Sequence, residues 1–179
     1  MGSRPVWCLL ALVGLTACGQ LFPRRAAPGG RAATPDGARR LDRSVVPQAY
    51  TLDLQVDPNG ATYAGTARIK VQIAGERQAV RLHAHGLTIE AASAEQGGQT
   101  WPATVDAGPD GGLTLRFDHA LASGEAVLRF QFHRALLRTP GGVWRHQLGE
   151  HWYAFTRFQP DRARQAFPCF DQPEFKTPF

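Results

Sequence analysis

The chain has 179 residues, 43% hydrophobic and 20% charged, a composition that excludes disordered, collagen-like and coiled-coil classes. The length fits one domain that buries about 70% of the surface its unfolded chain exposes, so no staple of disulfides or metal is needed. The formal charge of +5 sits towards the amino terminus: residues 19–40 hold five Arg against Asp36, whereas residues 41–179 hold 14 basic and 14 acidic side chains. A neutral body has no surplus cationic face to engage phosphates, which excludes nucleic acid as a partner.

Arg4 precedes the apolar run Val6 to Val13, and Gly14-Leu15-Thr16-Ala17-Cys18 comes next, the layout of a secretory signal with small residues before its cut site. A bilayer core needs about 20 apolar residues in helix, and this stretch ends after roughly 12, so it does not span. Leu15-Thr16-Ala17-Cys18 resembles the lipobox of bacterial lipoproteins, whose Cys becomes the lipidated first residue of the mature chain. The resemblance implies a signal peptide over residues 1–17, lipidation at Cys18 and a membrane partner reached through the lipid anchor. It places the protein in the bacterial cell envelope. Gly19, where Asp would mark inner-membrane retention, points to the outer membrane, on its periplasmic or surface face. Residues 18–40 then read as the lipidated Cys and a tether rich in Pro, Gly, Ala and Arg, with no hydrophobic period. Such a tether has an r.m.s. span of about 26 Å. With Cys8 lost and Cys18 acylated, Cys169 remains, so no internal disulfide is expected and Cys169 is placed in the core.

From Ala49 onward the pattern has period two. Tyr50, Leu52, Leu54 and Val56 alternate with Thr51, Asp53 and Gln55, and Asp57-Pro58-Asn59-Gly60 closes the run with turn chemistry. Tyr63, Gly65, Ala67, Ile69, Val71 and Ile73 share one parity, which predicts a second strand paired with the first as a hairpin. Further strands are expected at 79–83, 87–91, 99–105, 113–117 and 126–132, separated by Gly-rich turns. Before Pro160 no segment has the length and 3.6 period of a buried helix. The predicted class is all-β, an antiparallel sandwich or bent sheet.

His83 and His85, two apart on a strand, would share a face, but a catalytic zinc takes three protein ligands. The chain offers no His-Glu-x-x-His, no Cys pair with finger spacing, no Gly-x-Ser-x-Gly and no phosphate loop. The strand histidines are therefore expected as half-exposed sheet residues, and the residues alone describe a binding or support module.

Residues 152–176 read Trp-Tyr-Ala-Phe-Thr-Arg-Phe-Gln-Pro-Asp-Arg-Ala-Arg-Gln-Ala-Phe-Pro-Cys-Phe-Asp-Gln-Pro-Glu-Phe-Lys. This run resembles the end of the amino-terminal domain in the aminopeptidase N family of zinc metallopeptidases. There, Thr-x-Phe-x-Pro leads into Ala-Arg-x-Ala-Phe-Pro-Cys-Phe-Asp-x-Pro-x-Phe-Lys. Pro47 to Leu54, Tyr63-Ala64-Gly65 and Leu82-His83-Ala84 are similar to the family's opening strands in order and spacing, so the resemblance covers residues 41–179. It implies a saddle-like antiparallel β-sandwich packed against its own thermolysin-like catalytic domain, in an enzyme that removes residues from peptide amino termini. The family's zinc, its His-Glu-x-x-His and its Gly-x-Met-x-Asn segment belong to the part that would begin where this chain ends. The chain is thus expected to be an incomplete enzyme, truncated before the catalytic domain and without activity alone.

One functional position carries over through the resemblance: Gln159 stands where the family has a Glu or Gln that lines the first subsite and bonds the substrate ammonium. Without the resemblance, Gln159 reads as a turn residue before Pro160. Arg157 stands where family members often have Gln, and a cation there repels an ammonium. Asp161 is expected to start a short helix, and Arg164 to pair with Asp171 in a joint that fixes Gln159. Two functions are compatible with these residues. The chain is either the substrate-facing domain of a lipid-anchored zinc aminopeptidase or a non-catalytic envelope lipoprotein whose β domain binds a protein or glycan partner.

Overall fold

The computed structural model describes residues 40–178. The expected signal peptide, Cys18 and the expected tether as far as residue 39 lie outside the described residues. In chain order the strands are β1 (Val45–Gln55), β2 (Thr62–Ile73), β3 (Arg77–His83), β4 (Thr88–Gln96), β5 (Gln99–Pro102), β6 (Thr104–Ala107), β7 (Gly112–Leu121), β8 (Gly124–Ala135), β9 (Gly142–Leu148) and β10 (His151–Arg157). A single 3-10 turn comes after them at Ala163–Gln165, and no α-helix occurs among the described residues.

The strands form an antiparallel β-sandwich. One sheet has the order β1-β2-β8-β4-β5, the second β3-β7-β6, and β9 and β10 pair as a separate hairpin. The alternation read in the sequence is the reason. Tyr63, Ala67, Ile69, Val71 and Ile73 of β2 are all buried, and share one core with Leu128, Phe130 and Phe132 of β8 and with Val80, Leu82, Leu113 and Leu115 of the second sheet. Residues of the opposite parity in β2, among them Arg68, Lys70 and Gln72, are solvated. The β1–β2 connection is an Asx turn: Asn59 N donates to Asp57 Oδ1 at 3.0 Å and Gly60 N to the Asp57 carbonyl at 2.9 Å. Gly65 lets β1 and β8 close over β2, since a Cβ there would lie 2.7 Å from Leu54 Cδ2, 2.8 Å from the Asp53 carbonyl and 3.0 Å from Phe132 Cζ.

Three expectations are corrected. The stretch 99–105 is two short strands in different sheets: β5 pairs with β4, β6 pairs with β7, and the chain crosses between sheets at Ala103. Pro102, which has no N–H for a ladder, ends the first of them. Leu136 to Arg157, read as no element, contains the β9–β10 hairpin. His83 is 4% exposed rather than half-exposed, because the chain beyond Pro168 lies against β3 and covers it.

Candidate functional site

The β9–β10 hairpin is exposed over most of its length from His146 to Arg157. Register pairs Trp144 with Phe155, His146 with Tyr153 and Arg157 with Gly142, so Trp144, His146, Leu148, Tyr153, Phe155 and Arg157 lie on one face. Trp144 stacks on Phe155 with centroids 4.9 Å apart. Leu148, Tyr153 and Phe155 are 68%, 46% and 45% exposed, an unpartnered apolar face among the described residues. On the other face Trp152 lies under two guanidiniums, Arg145 at 4.4 Å and Arg138 at 4.7 Å from the ring centroid. Arg145 Nη1 also donates to the carbonyls of Pro58, Asn59 and Gly60, which moors the hairpin to the β1–β2 turn.

β10 ends at Arg157 and delivers Gln159 into solvent; both side chains are exposed. The chain beyond Pro160 is held by a series of hydrogen bonds that begins at Arg162. Arg162 N bonds the Phe158 carbonyl at 2.7 Å and Arg162 Nη1 the Pro140 carbonyl at 2.6 Å. Arg164 reaches Asp171 three ways: its N and Nε donate to Asp171 Oδ2 at 3.1 and 2.9 Å, and its Nη2 donates to the Asp171 carbonyl at 2.6 Å. These two side chains are only 19% and 13% exposed. Asp171 N donates to His83 Nδ1 at 3.2 Å, which makes that nitrogen the acceptor and leaves the ring proton on Nε2. Residues 83 and 169 exchange backbone hydrogen bonds, and Phe170 N donates to the Tyr50 hydroxyl at 3.0 Å.

A buried polar cradle under the 3-10 turn escapes sequence reading. The Tyr63 hydroxyl lies 3.1 Å from the Gln165 carbonyl and 2.9 Å from that of Ala166, and Arg134 Nη1 donates to the same Gln165 carbonyl. Tyr63 is 1% and Arg134 8% exposed, and burial pushes the Tyr63 hydroxyl up to about 12, against the pull of Arg134. Opposite, Gly142 closes the cradle: at φ +61°, any Cβ would lie 2.8 Å from the Gln165 backbone. The one signal for this arrangement is Arg134 itself, a charge on the core parity of β8 after Ala126, Leu128, Phe130 and Phe132.

Asp161 differs from expectation. The turn is capped by Arg162 without a side-chain hydrogen bond, so Asp161 starts no helix; it is exposed and stands on the rim of an open cavity of about 620 Å³. That cavity mixes Arg81, His83, His85, Asp110 and Arg164, and the described residues hold no group of three or more His, Cys, Asp or Glu able to bind a metal. The residues present therefore do not form a zinc site. Cys169 is 3% exposed, and burial pushes its thiol well up, as does the nearby Asp171 carboxylate; it is a core residue and not a nucleophile.

The profile of the family described as Peptidase M1 N-terminal domain matches residues 46–179. Aminopeptidase M1-C of Oryza sativa subsp. japonica is 34% identical over 158 residues, which is 86% of this chain and 18% of that protein. Aminopeptidase M1 of Arabidopsis thaliana is 31% identical over 153 residues, 80% of this chain and 17% of its own length. Aminopeptidase N of Acetobacter pasteurianus is 27% identical over 147 residues, 79% of this chain and 41% of that protein. The chain thus spans under a fifth of the length of the two plant relatives. A profile match over most of the sandwich, together with the pinned run that ends it, makes this chain a member of the peptidase M1 amino-terminal domain family.

Proposed function

We propose that this domain is the substrate-facing, amino-terminal part of a zinc-dependent aminopeptidase that hydrolyses residues from peptide amino termini, with the zinc held by a catalytic domain outside this chain. The observation that carries the reading is the exposed hairpin strand running directly into Gln159 on a segment pinned from Arg162 to Asp171. The bare face of Trp144, Tyr153 and Phe155 docks on the domain's own catalytic partner, and the pinned run fixes where Gln159 emerges. Its carbonyl oxygen then accepts from the peptide ammonium.

A hydrogen bond to a charged group contributes about 1.5–3 kcal/mol, so Gln159→Ala in the complete protein is expected to raise KM for peptides with free amino ends about tenfold or more. Gln159→Glu, which adds charge to the same contact, is expected to lower KM. An unchanged KM in both variants would remove the reading. A complete gene product without a bound zinc would favour the non-catalytic lipoprotein instead.

The same proposal anchors the protein in the envelope through Cys18. Metabolic labelling with palmitate is expected to tag the native chain, and Cys18→Ser to lose the tag and release the protein from the membrane fraction. A soluble, unlabelled wild type would exclude the anchor.

A further inference from the structure

Residues 40–44 fold back over the far end of the sequence. Leu41 is 6% exposed and belongs to the core, although it precedes both β1, which starts at Val45, and the family match, which starts at residue 46. Its N donates to Gln172 Oε1 at 3.3 Å. On either side two arginines converge on one carboxylate, Arg40 Nη2 at 3.1 Å and Arg43 Nη2 at 3.6 Å from Glu174 Oε2. Asp42 shapes the segment as an Asx turn, accepting Ser44 N at 2.8 Å, and the Ser44 carbonyl accepts Ala74 N at 2.7 Å. The two guanidiniums are 73% and 78% exposed, where an ion pair contributes little, so burial of the Leu41 side chain is the stronger hold.

We propose that residues 40–44 act as a strap, with Leu41 as its bolt, that keeps the run from Phe170 to Lys176 closed on the sandwich. Gln172 and Glu174 follow directly on Asp171, the acidic half of the joint with Arg164. The backbone hydrogen bonds of that run are local: Gln172 N donates to the Phe170 carbonyl at 2.9 Å and Phe175 N to the Gln172 carbonyl at 3.0 Å. Such bonds order the turn without tying it to either sheet. The strap supplies the tie, and opening it frees Gln172 Oε1 and Glu174 together. It also removes a wall of the cavity of about 620 Å³, which both Leu41 and Gln172 line. The segment that precedes β1 thus sets how firmly the run past Asp171 is held, and a load or a cut on that side reaches the joint without passing through the sheets. The device is independent of the reading of Gln159.

Hydrogen exchange of the complete protein, read by mass spectrometry over residues 40–46, residues 170–176 and the β2–β8 pair, tests the coupling. Leu41→Asp is expected to speed exchange at 40–46 and 170–176 together by about tenfold or more, with β2 and β8 unchanged. Glu174→Gln, which leaves the core intact, is expected to speed both segments about two- to fivefold. Arg40→Glu with Arg43→Glu is expected to speed them further, and adding Glu174→Arg to that pair to restore protection. Should Leu41→Asp fail to fold, this reversal and its rescue decide, since Arg40 and Arg43 are exposed. Unprotected amides at 41–44 in the wild type overturn the proposal, as does fast exchange at 40–46 with none of it passed to 170–176. Faster exchange throughout β2 and β8 in Leu41→Asp also overturns it, because Leu41 is then one core residue among others.

Discussion

Asp171→Ala is expected to cost the domain about 3 kcal/mol, read as a fall in the denaturant midpoint, because it strands a largely buried guanidinium. Asp171 Oδ2 accepts both Nε and the backbone N of Arg164, and the two side chains are 19% and 13% exposed, so neither water nor a neighbouring acid can replace it fully. Arg164→Ala is expected to be milder, since the carboxylate keeps the backbone donor. In the complete protein, Arg164→Ala should lower stability and yield more than it changes the preferred amino-terminal residue. A wild-type midpoint for Asp171→Ala, or a changed preference with intact stability for Arg164→Ala, would show that the pair does not act as a structural joint.

The second large effect is alkaline. Burial raises the Tyr63 hydroxyl from its ordinary 10 to about 12 and lifts that of Tyr50 further. Between those limits the folded state keeps protons that the unfolded chain releases, so stability falls as pH rises. The contribution is complete below pH 10 and lost through pH 12, and two pKa units at Tyr63 correspond to about 3 kcal/mol. Urea midpoints measured from pH 8 to pH 12 are expected to decline over that window, and Tyr63→Phe to flatten the decline. At neutral pH the same variant costs about 1 kcal/mol, one hydrogen bond of the cradle. A midpoint independent of pH across the window would contradict the buried cradle.

The sandwich is legible in the sequence where one face of a strand is wet. Tyr50 to Val56, the Asp57–Gly60 turn and Tyr63 to Ile73 alternate cleanly, and they form the β1–β2 hairpin. β8 is legible only to Phe132, because Arg134 looks like the end of the apolar parity although its guanidinium is buried on a carbonyl. The β9–β10 hairpin is not legible at all. With Trp144, Tyr153 and Phe155 on one face and Val143 and Trp152 on the other, period two disappears when both faces are apolar. Of the site, Gln159 and the Arg164–Asp171 pair come through resemblance to a dense motif. The Tyr63 and Arg134 cradle is hidden because its acceptors are main-chain carbonyls of Gln165 and Ala166, which no side-chain spacing encodes.

Arg145 ties the arm that carries Gln159 to carbonyls 85 to 87 residues earlier in the chain. Seen as an event in time, that contact closes a loop of 85 to 87 residues, and loop closure grows costlier with chain length. The first hairpin is local and can form early; the arm cannot be moored until the Pro58–Gly60 turn exists to receive it. The β1–β2 turn therefore precedes the arm that it moors, and the longer closures of Gln165 on Tyr63 and of Phe170 on Tyr50 fasten the run that follows the arm.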